Sequence, residues 1–136
     1  MNRLPRLLAI ALGLLAGSSS LLPVQAQNSS SPVDNAATQV VTEIVAGDYS
    51  DVEAQFDPTM SAQLPQDQLA NAWRTYQELF GAFQSADPPT SVMLGELTVE
   101  QVPVHMANSD GEVRITFHPD GTIAGLFFLQ PGVPVT

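Results

Sequence analysis

The sequence predicts one segregated α+β domain, in which three helices precede and cover a curved, four-stranded antiparallel sheet. Three observations carry this expectation. Apolar residues recur at three- and four-residue spacing as far as Gly81, the period switches to alternation after the break at Asp87-Pro88-Pro89, and turn chemistry then recurs at Gly95-Glu96, Asp110-Gly111 and Pro119-Asp120-Gly121.

The first helix is drawn by Val33, Ala37, Val40, Val41 and Ile44, which fall on one helical face, with Gly47 as its C-terminal stop. A short second helix fits 50–56, because Ser50 and Glu53 have capping-box spacing and Tyr49, Val52 and Phe56 share a side; Pro58 ends it. Pro65 opens the third helix, whose stripe of Leu69, Ala72, Trp73, Tyr76, Leu79 and Phe80 is the broadest in the chain, and Gly81 closes it.

Strands are expected at about 90–94, 97–106, 112–118 and 122–129. Pro103 cannot donate to a ladder and Val99 is out of phase with Val102 and Val104, which predicts a bulge or bend in the second strand. A turn at 108–111 sets Val102, Val104 and Met106 opposite Phe117, Ile115 and Val113. A turn at 119–121 then sets those three opposite Ile123, Gly125 and Phe127, giving one continuous apolar face. The last strand is apolar on both sides, so its other side should present Ala124, Leu126 and Phe128 beside Arg114. Such a patch on a small domain marks an interface or a face covered by the chain's own first helix, and a partner, a second copy of the chain, is the favoured occupant.

Residues 1–26 read as a secretory signal: Arg3 and Arg6, an apolar run of about ten residues, then Val24-Gln25-Ala26 as a small-residue cleavage site. The run is too short for the roughly 20 residues of a membrane span. The chain has no cysteine, which removes both a lipid-modified anchor and any disulfide. An exported product, periplasmic or extracellular, follows as the expectation, with 27–32 as a disordered polar tether, 33–131 as the single domain and 132–136 as a short tail. All fourteen acidic residues lie beyond residue 26, against Arg74 and Arg114 alone. That charge is repelled by phosphates and anionic lipid, so neither nucleic acid nor a membrane surface is an expected partner.

Gly47-Asp48-Tyr49, Phe56-Asp57 with Met60, Leu64-Pro65 with Leu69 and Trp73, Gly81-Ala82-Phe83, and 113–117 leading into Asp120-Gly121 and 123–126 together resemble a bacterial family of unknown function. The resemblance spans 33–129. Domains of that family often precede a secreted α/β-hydrolase (serine-aminopeptidase-like) domain, and the resemblance implies a cystatin-like or nuclear-transport-factor-like cone. It supplies no catalytic residues. No Gly-x-Ser-x-Gly elbow occurs in the sequence, so a hydrolase activity is not carried over.

Chemical candidates are few. In the expected register His105 faces Arg114, four residues along the strand from His118, about 13 Å at roughly 3.3 Å per residue, which is too far to share a metal. With Cys and Lys absent and most serines in the signal, tether or turns, no activated nucleophile is assigned. Asp48, Asp57, Asp110 and Asp120 sit where caps and turns explain them. Arg74 is one turn from Glu78 and suits a helix-surface pair. Tyr49, Trp73, Tyr76 and Phe83 are the candidates for lining a ligand pocket between helix and sheet, with core packing as the alternative. No metal or organic cofactor is expected. The reading is an exported, non-catalytic interaction or small-ligand-binding module, with two alternatives open: a cone-fold enzyme using a buried carboxylate, and an accessory that docks on a separate exported hydrolase.

Overall fold

A computed structural model describes residues 31–135. The signal expected at 1–26 and the tether at 27–30 lie outside the described residues. Ser31 and Pro32, placed in the tether by composition, instead begin the first helix, α1 (Pro32–Ala46). The Ser31 hydroxyl accepts from the Asp34 N–H at 3.0 Å and the Asp34 carboxylate accepts from the Ser31 N–H at 3.4 Å, a reciprocal capping box with proline at the first helical position. Gly47, at φ 85°, closes the helix in the left-handed region that favours glycine. Ala37, Val40, Val41 and Ile44 form the buried face.

Two short helices follow, α2 (Tyr49–Glu53) and α3 (Pro58–Gln63), then the long α4 (Gln66–Phe80). The Ser50 box expected for α2 does not form: Asp48 is its N-cap, without a side-chain bond. Pro58 does not merely end a helix. It is the first residue of α3, because Asp57 turns its carboxylate onto the Met60 N–H at 2.7 Å. Leu69, Trp73 and Tyr76 bury the inner stripe of α4.

The sheet has five strands: β1 (Phe83–Ala86), β2 (Thr90–Leu94), β3 (Leu97–Met106), β4 (Asp110–Phe117) and β5 (Ile123–Leu129), all antiparallel. The order is β1-β3-β4-β5, with β2 also paired to β3. β1 was not anticipated. It is a four-residue, mostly exposed strand interrupted by a register shift between Phe83 and Ser85, and so shows no alternation to read. Among the described residues no helix is long and apolar enough to cross a membrane.

The β3–β4 register differs from expectation by four residues: Val102 faces Val113 and Val104 faces Gly111, while Ile115 faces Glu100. The cause is Gly111, which is a strand residue and not a turn residue. A Cβ there would lie 1.8 Å from the Tyr76 hydroxyl oxygen. That hydroxyl donates to the Leu129 carbonyl at 2.6 Å and accepts from the Glu112 N–H at 3.0 Å, so one phenol ties α4 to β4 and β5. An even shift preserves the faces, and Val102, Val104, Met106, Val113, Ile115 and Phe117 all enter the core beneath the helices.

β3 runs unbroken along β4 from Thr98 to His105, so the bend expected at Pro103 is absent from this pairing. The irregularity lies in β5 instead. Phe117 faces Ile123 but Thr116 faces Gly125, leaving Ala124 as the extra residue of a bulge. Beyond it the phase reverses, and Leu126 and Phe128 face Ile115 and Val113. Val99, out of phase in the sequence, is buried on the opposite, outer face.

His105 does not face Arg114. It faces Asp110, and its ring is held at 3.0 Å by Asp110 through Nδ1 and at 3.0 Å by Asp87 through Nε2. These carboxylates, Asp110 first and then Asp87, raise its pKa above the ordinary value. A raised histidine pKa stabilises the fold below the ordinary value of about 6.5 and ceases to do so as pH climbs through the folded value. NMR titration of the ring should place His105 above His in an unfolded peptide, and Asp110→Asn should bring it down. Tyr76→Phe should cost about 1–3 kcal/mol in denaturant unfolding by orphaning the Leu129 carbonyl and the Glu112 N–H. Gly111→Ala should cost more, since it displaces the ring as well.

Candidate functional site

α4 and β5 frame an open groove of about 610 Å³ between helix and sheet edge. Leu64, Ala72, Thr75, Tyr76 and Leu79 come from the helical side, and Leu126, Phe127 and Phe128 from the strand. Its rim is uncharged, with Gln68 and Asn71 as the polar members. Leu79 is 73% exposed and Phe127 53%, large apolar side chains left in water at the groove, Leu79 on α4 and Phe127 on the outer side of β5. Phe127 is out because the Ala124 bulge turns it out, opposite Arg114.

Of the four aromatic residues expected to line a pocket, Tyr76 alone lines this groove. Trp73 is buried in the core, with its ring 5.2 Å from Phe128, 5.9 Å from Tyr76 and 6.1 Å from Phe83. Tyr76 stacks on Phe128 at 5.4 Å and tilts against Phe80 at 4.5 Å. This cluster is the inner wall of the groove. Tyr49 and Phe83 are half-buried against the core and do not line the groove.

The outer-face cluster of Arg114, Ala124, Leu126 and Phe128 is not assembled. Leu126 is 7% exposed and belongs to the core, Phe128 packs against it, and Ala124 is the half-buried bulge residue. Arg114 does lie on the outer face, where it is buried. Its Nε donates to Glu112 at 2.7 Å, Nη1 to the Pro134 carbonyl at 3.0 Å, and Nη2 to the Val133 carbonyl. The tail thus folds back at Gly132 and covers the outer side of the sheet over Val99, Thr116 and Leu129. The cover that composition assigned to a second copy or to the first helix comes from residues 133–135.

The two histidines stay apart, as their separate partners show. His118 meets Asp57 at 2.7 Å beside a shallow cleft lined by Phe56, Thr59, Pro119, Asp120 and Thr122. The Met60 N–H and then His118 hold the Asp57 carboxyl below the usual range. Asp57 is therefore committed to capping α3, and the Thr122 hydroxyl beside it is committed to Asp120 at 2.7 Å. No nucleophile lies on this pair. Among the described residues there is no group of three or more His, Asp or Glu side chains able to hold a metal. Arg74 bonds Asn71, one turn before it, in place of Glu78.

Sequence reasoning missed Glu100. It is fully buried on the inner face of β3, one Oε accepts from the Ser91 hydroxyl, and the other has no hydrogen-bond partner. Burial first, then the neighbouring Asp34 carboxylate, pushes its pKa up to about 7 against the opposing Ser91 bond. Parity was the available signal, since Glu100 shares its phase with Val102, Val104 and Met106.

Placement of β5 is tested by a pair of substitutions. Leu126→Asp puts a charge into the core and should unfold the domain or lower its melting temperature by tens of degrees, whereas Phe127→Asp, on the neighbouring but outward residue, should leave the melt nearly unchanged.

No curated protein and no solved structure matches the chain. A family model described as protein of unknown function (DUF3887) matches residues 37–126, from within α1 to just past the Ala124 bulge of β5. The chain belongs to the DUF3887 family of proteins of unknown function.

Proposed function

We propose that the chain is an exported, non-catalytic binding domain that takes apolar groups, from a small ligand or from a partner's side chains, in the groove between α4 and β5. The observation that carries this reading is the exposure of Leu79 and Phe127 across a groove floored by Tyr76, Leu126 and Phe128. Binding surfaces of this kind are mostly apolar with a few polar groups at the edge, here Gln68 and Asn71. Export is supported by the charged, apolar and small-residue order of residues 1–26. The antiparallel sheet covered by helices suits the cystatin-like or nuclear-transport-factor-like cone that the resemblance implies. The same resemblance makes an exported α/β-hydrolase a fitting partner for the groove. A homodimer through the outer sheet face loses its motive, because the tail lies there.

One observation favours a second reading, an enzyme using a buried carboxylate: Glu100 has the near-neutral pKa of a general acid or base. A proton-transfer group must come within hydrogen-bond reach of its substrate, and Glu100 lines neither the α4–β5 groove nor the clefts beside His118 and under the tail. Binding without turnover is the reading the geometry supports better.

The single tryptophan gives a direct assay. Titration of the exported protein with the neutral apolar dye Nile red, read through dye emission and Trp73 fluorescence, should show saturable binding that Leu79→Asp and Phe127→Asp each weaken at least about tenfold. A parent protein that fails to bind the dye, or folded variants that bind as the parent does, would overturn the groove.

A further inference from the structure

Glu100 sits mid-strand on the inner face of β3, opposite Ile115 of β4, with no exposed surface. Two elements bring polar groups to it: α1 supplies Asp34 from its first turn, and β2 supplies Ser91, whose hydroxyl is 2.9 Å from Asp34 Oδ1 and also within bonding distance of Glu100 Oε2. β4 supplies only an aliphatic side chain. A hydroxyl has one hydrogen and serves one of these acceptors at a time. Among the described residues no cation neutralises the pair. Arg114 is on the other side of the sheet with Glu112 and the tail, Arg74 is bonded to Asn71, and the imidazoles of His105 and His118 are held by Asp87, Asp110 and Asp57.

Two carboxylates that share one hydroxyl, one of them buried and without a counter-charge among the described residues, cannot both stay ionised. We propose that Glu100 and Asp34 form a one-proton site that latches the first turn of α1 to the sheet, and that loss of this proton releases that turn. Glu100 is the group that holds the proton and Asp34 the one that accepts the hydrogen bond. This assignment agrees with the opposite directions of their pKa shifts: Asp34 is lowered chiefly by its bond to Glu100, while Glu100 is raised chiefly by burial. Asp34 is also half of the capping box with Ser31, so repulsion between the two carboxylates acts on the residues that start the helix. The site does not depend on the α4–β5 groove. If the chain is exported, it meets the pH of the surroundings and not that of the cytoplasm.

The sign follows from the carboxyl of Glu100 being harder to ionise when α1 is docked. The latch is fully made below the ordinary glutamate value of 4.5, weakens as pH rises, and is lost above about 7. Across that window the opening constant of the first turn should rise by up to about tenfold per pH unit. Hydrogen exchange of the exported protein, corrected for intrinsic rates, should therefore show amides 35–38 losing protection between pH 5 and pH 8 while β3 and β4 remain protected. Glu100→Gln keeps a neutral donor toward Asp34 and should abolish that step. Carboxyl-carbon NMR of the parent gives an independent reading, in which Glu100 should titrate well above the other glutamates. Equal protection of α1 at both pH values, persistence of the step in a folded Glu100→Gln protein, or an ordinary titration of Glu100 would overturn the latch, and the last of these decides the matter even if the variant does not fold.

Discussion

The extra residue at Ala124 governs how this sheet is used. Without it, β5 would continue in phase from Ile123, and Phe127 would enter the core while Leu126 and Phe128 faced outward. With it, Leu126 and Phe128 complete the row begun by Ile115 and Val113, and Phe127 stands outside. The bulge is held from both sides. The loop between α2 and α3 pairs with Ile123 on the free edge of β5, where the Asp57 N–H donates to the Ile123 carbonyl at 2.9 Å and the Ile123 N–H to the Gln55 carbonyl at 2.8 Å. One inserted residue thus fills the core, withdraws Leu126 and Phe128 from the outer face and leaves Phe127 exposed beside the α4–β5 groove.

Scarcity of cations shapes the rest. With two arginines against fourteen acidic residues in the region beyond residue 26, most carboxylates must find hydrogen donors elsewhere. Asp34, Asp57 and Asp120 take backbone N–H groups at helix starts and turns, and all three have lowered pKa values, Asp57 first through the Met60 N–H, Asp120 first through the Thr122 hydroxyl and Asp34 first through Glu100. Asp87 and Asp110 share the ring of His105, and Glu112 has the buried Arg114. Glu100 is left with a serine hydroxyl and another carboxylate, and a proton becomes the cheapest counter-charge available to it.

Tyr76 illustrates how position converts an ordinary core residue into a joint. Its ring stacks within the cluster of Trp73, Phe80 and Phe128, while its hydroxyl reaches the backbone of two strands in space that only Gly111 leaves open. The groove inherits a rigid inner wall from this arrangement, which lowers the ordering cost of anything that binds there.

The α+β class, the faces of α1 and α4, and the spans of β2 and β3 were legible in the sequence, because burial on one side imposes a period of 3.6 or 2 that survives in the residues themselves. Short pieces with too few residues to show a period, α3 and β1, were not. Neither was any relation that depends on counting residues across a turn or through a bulge: a hairpin loop shorter than expected moved the β3–β4 register by four, and Ala124 reversed the second half of β5. Parity did place Glu100 with the core row, yet its meaning required knowing that Asp34, 66 positions earlier, and no arginine, would arrive beside it. The sequence by itself therefore determined the element types and which side chains share a face, since those are local consequences of periodicity. Only the tertiary structure decided which faces meet, that the tail folds over the outer sheet, and which acidic group is buried beside another without an arginine, since those depend on long-range pairing that no local pattern encodes.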